Sequence, residues 1–307
     1  MKKKKIFLNI LNYILLIFLI LKNLYSLVDY NITFANSASF ASAGATLLNS
    51  TESMFFNPAN LYNLDCSKFA LFYNKHFLGF ESENSLNSEQ GYYPVNINSY
   101  GISMITPITK IGGLGFAFTS LDFAQLSSLT VLFVNGSFNL NKILNLNKNL
   151  STGISLKYFI QKYNATLWNN NSDTSSFISF DIGIFTILSE NINFGFAIID
   201  IFSTDSGISS VEKLPIKYRT GLSYIFKKFN IFADFEYYEN EYNLMIGLLY
   251  KILKSLNLKA GINFYYTGFG LDWTFFENFK FNYAINYYFA DFNANVFNHK
   301  ISLELKF

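Results

Sequence analysis

Cysteine occurs once in this 307-residue chain, at Cys66, and histidine twice, at His76 and His299. One thiol cannot form an internal disulfide, and three isolated ligands cannot assemble a Cys/His zinc site, so neither a disulfide scaffold nor a metal centre is expected. Cys66 reads as a small buried hydrophobe. Charge of one sign is also lacking: Lys+Arg (23) and Asp+Glu (21) leave a net +2, which gives no electrostatic footprint for nucleic acid. Proline is held to four residues and tryptophan to two. Nucleophilic catalysis needs a base oriented by a third group. Closure of a sheet could bring His76 and His299 together, yet neither is accompanied by a Ser-centred turn or paired carboxylates, so no catalytic residue and no cofactor is expected. Asn-x-Ser/Thr sequences at Asn31, Asn49, Asn135, Asn149 and Asn164 follow from an Asn-rich composition.

Long apolar runs are missing as well, except at the start. Lys2 to Lys5 precede a mostly apolar stretch from Ile6 to Leu21, interrupted by Asn9 and Asn12 and closed by Tyr25-Ser26. This is the layout of a secretory signal peptide spanning 1–26, with cleavage near Ser26; an uncleaved anchor is the other reading. Beyond it no uninterrupted apolar stretch reaches the ~18 residues a membrane helix needs, so the mature chain crosses no bilayer as ordinary helices.

What is abundant points to strands. Half of the residues are hydrophobic and 19% are aromatic, led by Phe (36) and Tyr (21), a bias that suits pleated, half-buried surfaces. From 67 to 307 the pattern has period two. Phe279, Phe281, Tyr283, Ile285, Tyr287 and Phe289 share one face, and Lys280, Asn282, Ala284, Asn286 and Tyr288 the other. Leu256 to Tyr266 reads as a similar strand, with Leu256, Leu258, Ala260, Ile262, Phe264 and Tyr266 on one side. Ile178, Phe180, Ile182 and Ile184 alternate with Ser179, Asp181 and Gly183. Further strands centre on Leu71, Ile102, Phe116, Val134, Leu156, Phe194, Leu222, Ile231, Ile246 and Leu271, and a last one runs from His299 to Phe307. The sum is about fourteen, an even number within the range of outer-membrane barrels.

Three features favour a membrane barrel over a soluble sandwich. The strands run about ten residues, the tilted span of a bilayer, against ~5 to 6 in soluble sheets. Aromatic pairs at Tyr237-Tyr238, Tyr265-Tyr266 and Tyr287-Tyr288 suit interfacial girdles. Short turns at Thr109 to Gly112, Glu190-Asn191 and Lys227-Lys228 alternate with longer loops at Glu81 to Asn96 and Thr204 to Lys213. Within such a barrel Lys157, Asp181, Arg219, Asp234, Glu236, Lys259 and Asp272 are expected to face the lumen, because Arg or Lys on the lipid face costs ~2 to 4 kcal/mol at the midplane.

Between the signal and the first strand, residues 27–66 hold a small-residue stretch, Phe34 to Ala45, and then Phe56-Asn57-Pro58-Ala59-Asn60-Leu61. Pro58 biases Asn57 toward extended backbone, so this part reads as a compact irregular segment. These residues resemble the start of the FadL-like superfamily of long-chain fatty-acid transporters, and more closely its PorV/PorQ branch, whose motif has Gly where Asn60 stands. Leu214-Pro215 with Tyr218 to Leu222, and His299 to Leu303 before the terminal Phe307, resemble further motifs of that group. The resemblance covers the two ends of the mature chain. It implies an all-β fold: a transmembrane antiparallel barrel of about 14 strands (67–307) around an N-terminal hatch (27–66) that places Asn57, Pro58 and Ala59 in the lumen. Phe307 would be the signal read by the barrel assembly machinery. The location implied is the outer membrane of a diderm bacterium, in contact with its lipid. The implied role is binding or transport of a hydrophobic ligand such as a long-chain fatty acid. A secretion-associated role with type IX secretion-system components, as for PorV, is the alternative, and a structural barrel or soluble adhesin the third reading.

Overall fold

A computed structural model of the chain describes residues 34–78, 97–108, 111–123, 127–144, 149–163, 174–205, 213–289 and 297–307. The expected signal peptide 1–26 with Ser26, residues 27–33, the loop Glu81 to Asn96 and residues 206–212 lie outside them.

Fourteen strands close into a barrel in which every strand is antiparallel to both neighbours: β1 (Lys68–Leu78), β2 (Ile97–Ile108), β3 (Gly112–Phe123), β4 (Ser127–Asn139), β5 (Leu150–Tyr163), β6 (Thr174–Ser189), β7 (Ile192–Ser203), β8 (Lys217–Ile225), β9 (Phe229–Tyr238), β10 (Glu241–Lys251), β11 (Leu256–Ile262), β12 (Tyr266–Phe275), β13 (Phe279–Tyr288) and β14 (Phe297–Lys306). Strands follow one another in chain order, and β14 pairs with β1 from Lys68↔Lys306 to Lys75↔His299, which removes the exposed sheet edge. Each strand centre expected from the sequence falls within one of these elements.

The wall is polar inside and apolar outside. On β6, Ile178, Phe180, Ile182 and Ile184 are 37–44% exposed, whereas Ser179 and Asp181 are at most 2% exposed. The same alternation holds on β14, where Ile301, Leu303 and Leu305 face out while Ser302 and Glu304 face in. An apolar exterior around a polar lumen is the arrangement of a transmembrane β-barrel. The connections after β2, β6, β8, β10 and β12 gather at the end that also holds the start of β1 and the end of β14. This end is called the inner end below, and the other the outer end. The asymmetry expected between short and long loops is partial, because the outer end also has tight turns. Glu239 (φ 46°) and Asn240 (φ 68°) close β9 to β10 with two left-handed residues, the hairpin turn that matches strand twist.

Three expectations need correction. The strand read through Tyr266 ends at Ile262: the Asn263 side chain accepts the backbone N–H of Tyr265 and of Tyr266, both at 2.8 Å, and turns the chain. Tyr266 therefore points inward, 2% exposed, rather than sharing a face with Leu258. The tyrosine pairs are not girdle pairs either, since successive residues of a strand face opposite sides. Tyr237 lies outside, stacked on Tyr218 and tilted against Tyr242, while Tyr288 lies inside against Tyr266 with ring centroids 4.9 Å apart. Cys66, at the inner end before β1, is half-buried instead of being a core residue.

Candidate functional site

Residues 34–62 lie almost wholly buried against the inner faces of the strands. The segment holds one short helix, α1 (Ala35–Ser39), and two 3₁₀ turns, Ser53–Phe55 and Pro58–Leu61. Asn57 is extended (φ −154°, ψ 114°), as its position before proline requires. Its Oδ1 accepts the Ala59 N–H at 3.0 Å and caps the second turn, while its Nδ2 donates to the carbonyls of Ala45 (3.1 Å) and of Ile184 on β6 (3.0 Å). Asn60 donates to the Gly44 carbonyl at 3.2 Å, which a glycine in that position could not do. The wall returns contacts: Asn135 donates to the Pro58 carbonyl and Ser137 to the Ala59 carbonyl.

Close approach of the two backbones depends on glycine. A Cβ on Gly183 would stand 2.1 Å from Asn57 Oδ1, and one on Gly153 would stand 2.2 Å from the Pro58 carbonyl carbon. Gly153 and Gly183 face each other in register, as do Gly195 and Gly221, and Gly247 and Gly261. They form part of a belt of side-chain-free wall on which the segment rests. Period-two reading puts Gly183 on the same face as Ser179 and Asp181 but assigns it no contact. The shared inward parity of these glycines, with glycine inside a strand marking close backbone approach, is the signal that could have found them.

All seven lumen-facing charges expected from the sequence are inside and at most 7% exposed. They fall into clusters. Lys157 bridges Asp181 (2.7 Å) and Asp200 (2.5 Å), the latter on a widening of β7 where Phe180↔Phe202 gives way to Ile182↔Ile198 and Asp200 takes φ 58°. Arg219 pairs with Glu236 at 2.5 Å and lies over the Phe56 ring at 5.1 Å. Asp234 accepts the N–H groups of Gly44 (2.8 Å) and Ala45 (2.7 Å) and so holds the segment directly. Lys259 and Lys280 both reach Asp272 at 2.9 Å, and Lys259 also donates to Asn36. Asn36 in turn adjoins Ser50, and Glu52 accepts from Ser37 N–H at 2.9 Å. Burial pushes the Glu52 carboxyl above the usual carboxylate range, opposed by its Ser37 hydrogen bond. Apolar contacts complete the seat, with Phe40 and Leu47 against Phe232 and Met245, and Met54 and Leu61 against Ile105 and Phe133.

The two histidines do not come together. β1 and β14 are neighbours, but His76 faces the lumen at Ser99 (3.0 Å), whereas His299 lies outside, hydrogen-bonded to the Tyr283 hydroxyl at 2.7 Å. Phe307, 63% exposed, ends β14 with its N–H on the Ser67 carbonyl.

The strands and the buried segment define the class of fold: a closed 14-stranded antiparallel barrel, apolar outside and polar inside, with residues 34–62 packed against its inner wall. Among solved structures, the chain is similar to the CymD monoaromatic hydrocarbon channel, with a TM-score of 0.70 at 12% identity over 89% of this chain and 97% of that one. It is also similar to the toluene transporter TodX of Pseudomonas putida (TM-score 0.58, 13% identity, 92% and 99% covered). A third is a Pseudomonas aeruginosa FadL homologue (TM-score 0.57, 12% identity, 90% and 98% covered). No known family model and no curated protein matches the sequence. At such identity the likeness establishes the fold.

Proposed function

We propose that the protein is an outer-membrane barrel that binds or passes hydrophobic small molecules, with 1–26 as its export signal, 67–307 as the barrel and 27–66 as a hatch. The observation that carries this reading is the seating of 34–62: every tie named above between it and the wall runs through a side chain, so the segment can leave without breaking the barrel's own ladder. Asn57, Pro58 and Ala59 are the latch of that hatch. The structures it resembles are a hydrocarbon channel, a toluene transporter and a FadL homologue, and a channel has no catalytic step. In the outer half of the lumen, Phe159 and Phe177 stack at 4.5 Å and make the inner wall of β5 and β6 apolar at that height.

A secretion-associated role follows the PorV/PorQ resemblance and is favoured by the dense packing of the lumen, since a barrel that never empties acts through its rim. Calorimetric titration of the detergent-purified protein with a long-chain fatty acid and with toluene separates the two. Saturable binding, lost when Asn57-Pro58-Ala59 is replaced, supports the hatch reading. An intact barrel, recognised by a shift in gel mobility on boiling, that binds neither compound favours the secretion role.

A further inference from the structure

The inner-end turns carry a pattern the lumen reading does not use. Phe226-Lys227-Lys228 joins β8 to β9, and Lys251-Ile252-Leu253-Lys254-Ser255 leads from β10 to β11. The turns abut one another: Lys251 N–H donates to the Lys228 carbonyl at 2.9 Å, and Thr274 N–H on β12 donates to the Ser255 carbonyl at 2.8 Å. All four lysines are exposed, as are the apolar tips Phe226 (52%), Leu253 (59%) and Phe276 (93%). Glu190 and Glu277 stand on the flanking turns, so the lysines between them leave a local excess of positive charge. Beside this rim, on the outer face of β12 to β14, lies a hollow of about 480 Å³ lined only by Trp273, Phe275, Phe276, Phe279, Phe281 and Leu303.

Aromatic and aliphatic side chains on the lipid face place the hollow at the acyl-chain level, and the lysines at the turn tips place their ammonium groups at the headgroup level. Lysines at a membrane surface attract anionic lipid, and the attraction fades within a Debye length. From this pairing of an apolar hollow with a cationic rim we infer that the inner end of β8 to β14 is a binding site for an anionic phospholipid of the leaflet at that end, one acyl chain in the hollow and the phosphate on Lys251 and Lys254. The inference rests on the membrane-barrel reading.

The test is native mass spectrometry of the full-length protein released from nanodiscs of equal phosphatidylglycerol and phosphatidylcholine, with gel mobility before and after boiling run on the same sample. Phosphatidylglycerol should be retained over phosphatidylcholine by about fivefold or more, and the doubly substituted Lys251→Gln, Lys254→Gln protein should lose that preference while keeping its mobility shift. Equal retention of the two lipids, or an unchanged preference in the double variant, overturns the site and leaves the barrel standing. Should that variant fail to fold, Trp273→Ala addresses the hollow independently, and unchanged retention there overturns the site as well. A wild-type chain that stays monodisperse without detergent and shows no mobility shift overturns the barrel reading and the site together.

Discussion

Asn57 does three jobs with one amide: it caps the Pro58–Leu61 turn, ties that turn back to Ala45 and holds it to Ile184 on β6. Asn57→Ala removes the cap and two donated hydrogen bonds, and should loosen the docked segment by about 1–3 kcal/mol while leaving the strand ladder intact. Limited proteolysis should then cut within 34–62 faster than in the wild type, with no change in gel mobility shift. Glu52 gives the same segment a pH dependence. Because burial raises its docked pKa, the charged form is disfavoured in place. Docking is therefore strongest below the ordinary carboxylate range, where the side chain is neutral whether docked or released, and weakens as pH rises from there through the raised value. Hydrogen exchange of the segment should quicken as pH rises from acidic to neutral beyond the intrinsic base-catalysed increase, and Glu52→Gln should abolish that excess. Asn57, Pro58 and Ala59 stood out in the sequence through the motif that carries the resemblance, and Pro58 set the local backbone of Asn57. Glu52 did not, because its partners Ser37 and Ser50 are meaningful only once both are inside the lumen.

The strands were legible as elements because side-chain parity in a two-sided wall leaves a repeating mark, and it placed the charged residues inward as well. Their ends were less legible. The turn at Asn263 is made by one side chain accepting two backbone N–H groups, and the aromatic alternation continues across it as if nothing had happened. The partners of each strand charge were also out of reach, since Lys157 and Asp200 are joined by a widening in β7 that no period records. The sharpest prediction at this scale concerns β6. Gly183→Val should displace the Asn57-Pro58 turn, because even its Cβ would stand 2.1 Å from Asn57 Oδ1, yet valine suits a strand and leaves the ladder pairing of Gly183 with Gly153 possible. Planar-bilayer recordings should show higher conductance than the wild type; unchanged conductance with a protected segment would mean that the turn can shift sideways.

At the scale of the molecule, closure depends on β14 meeting β1, and the C-terminal strand supplies both that seam and an outward row of Ile301, Leu303, Leu305 and Phe307. If Phe307 is the assembly signal, its deletion should lower the amount of folded barrel in the outer membrane severalfold, read as the heat-modifiable fraction of that membrane, while detergent refolding of the same variant proceeds normally. Equal deficits in both would instead assign Phe307 to the stability of the seam. The glycine belt has one more consequence. If 34–62 acts as the proposed hatch, its withdrawal leaves a wall that carries hydrogen atoms, and no side chains, at the glycines on which it rests. On that reading the room for a passing molecule at that height is set by backbone alone, and the cylinder serves as a sleeve for the segment it holds.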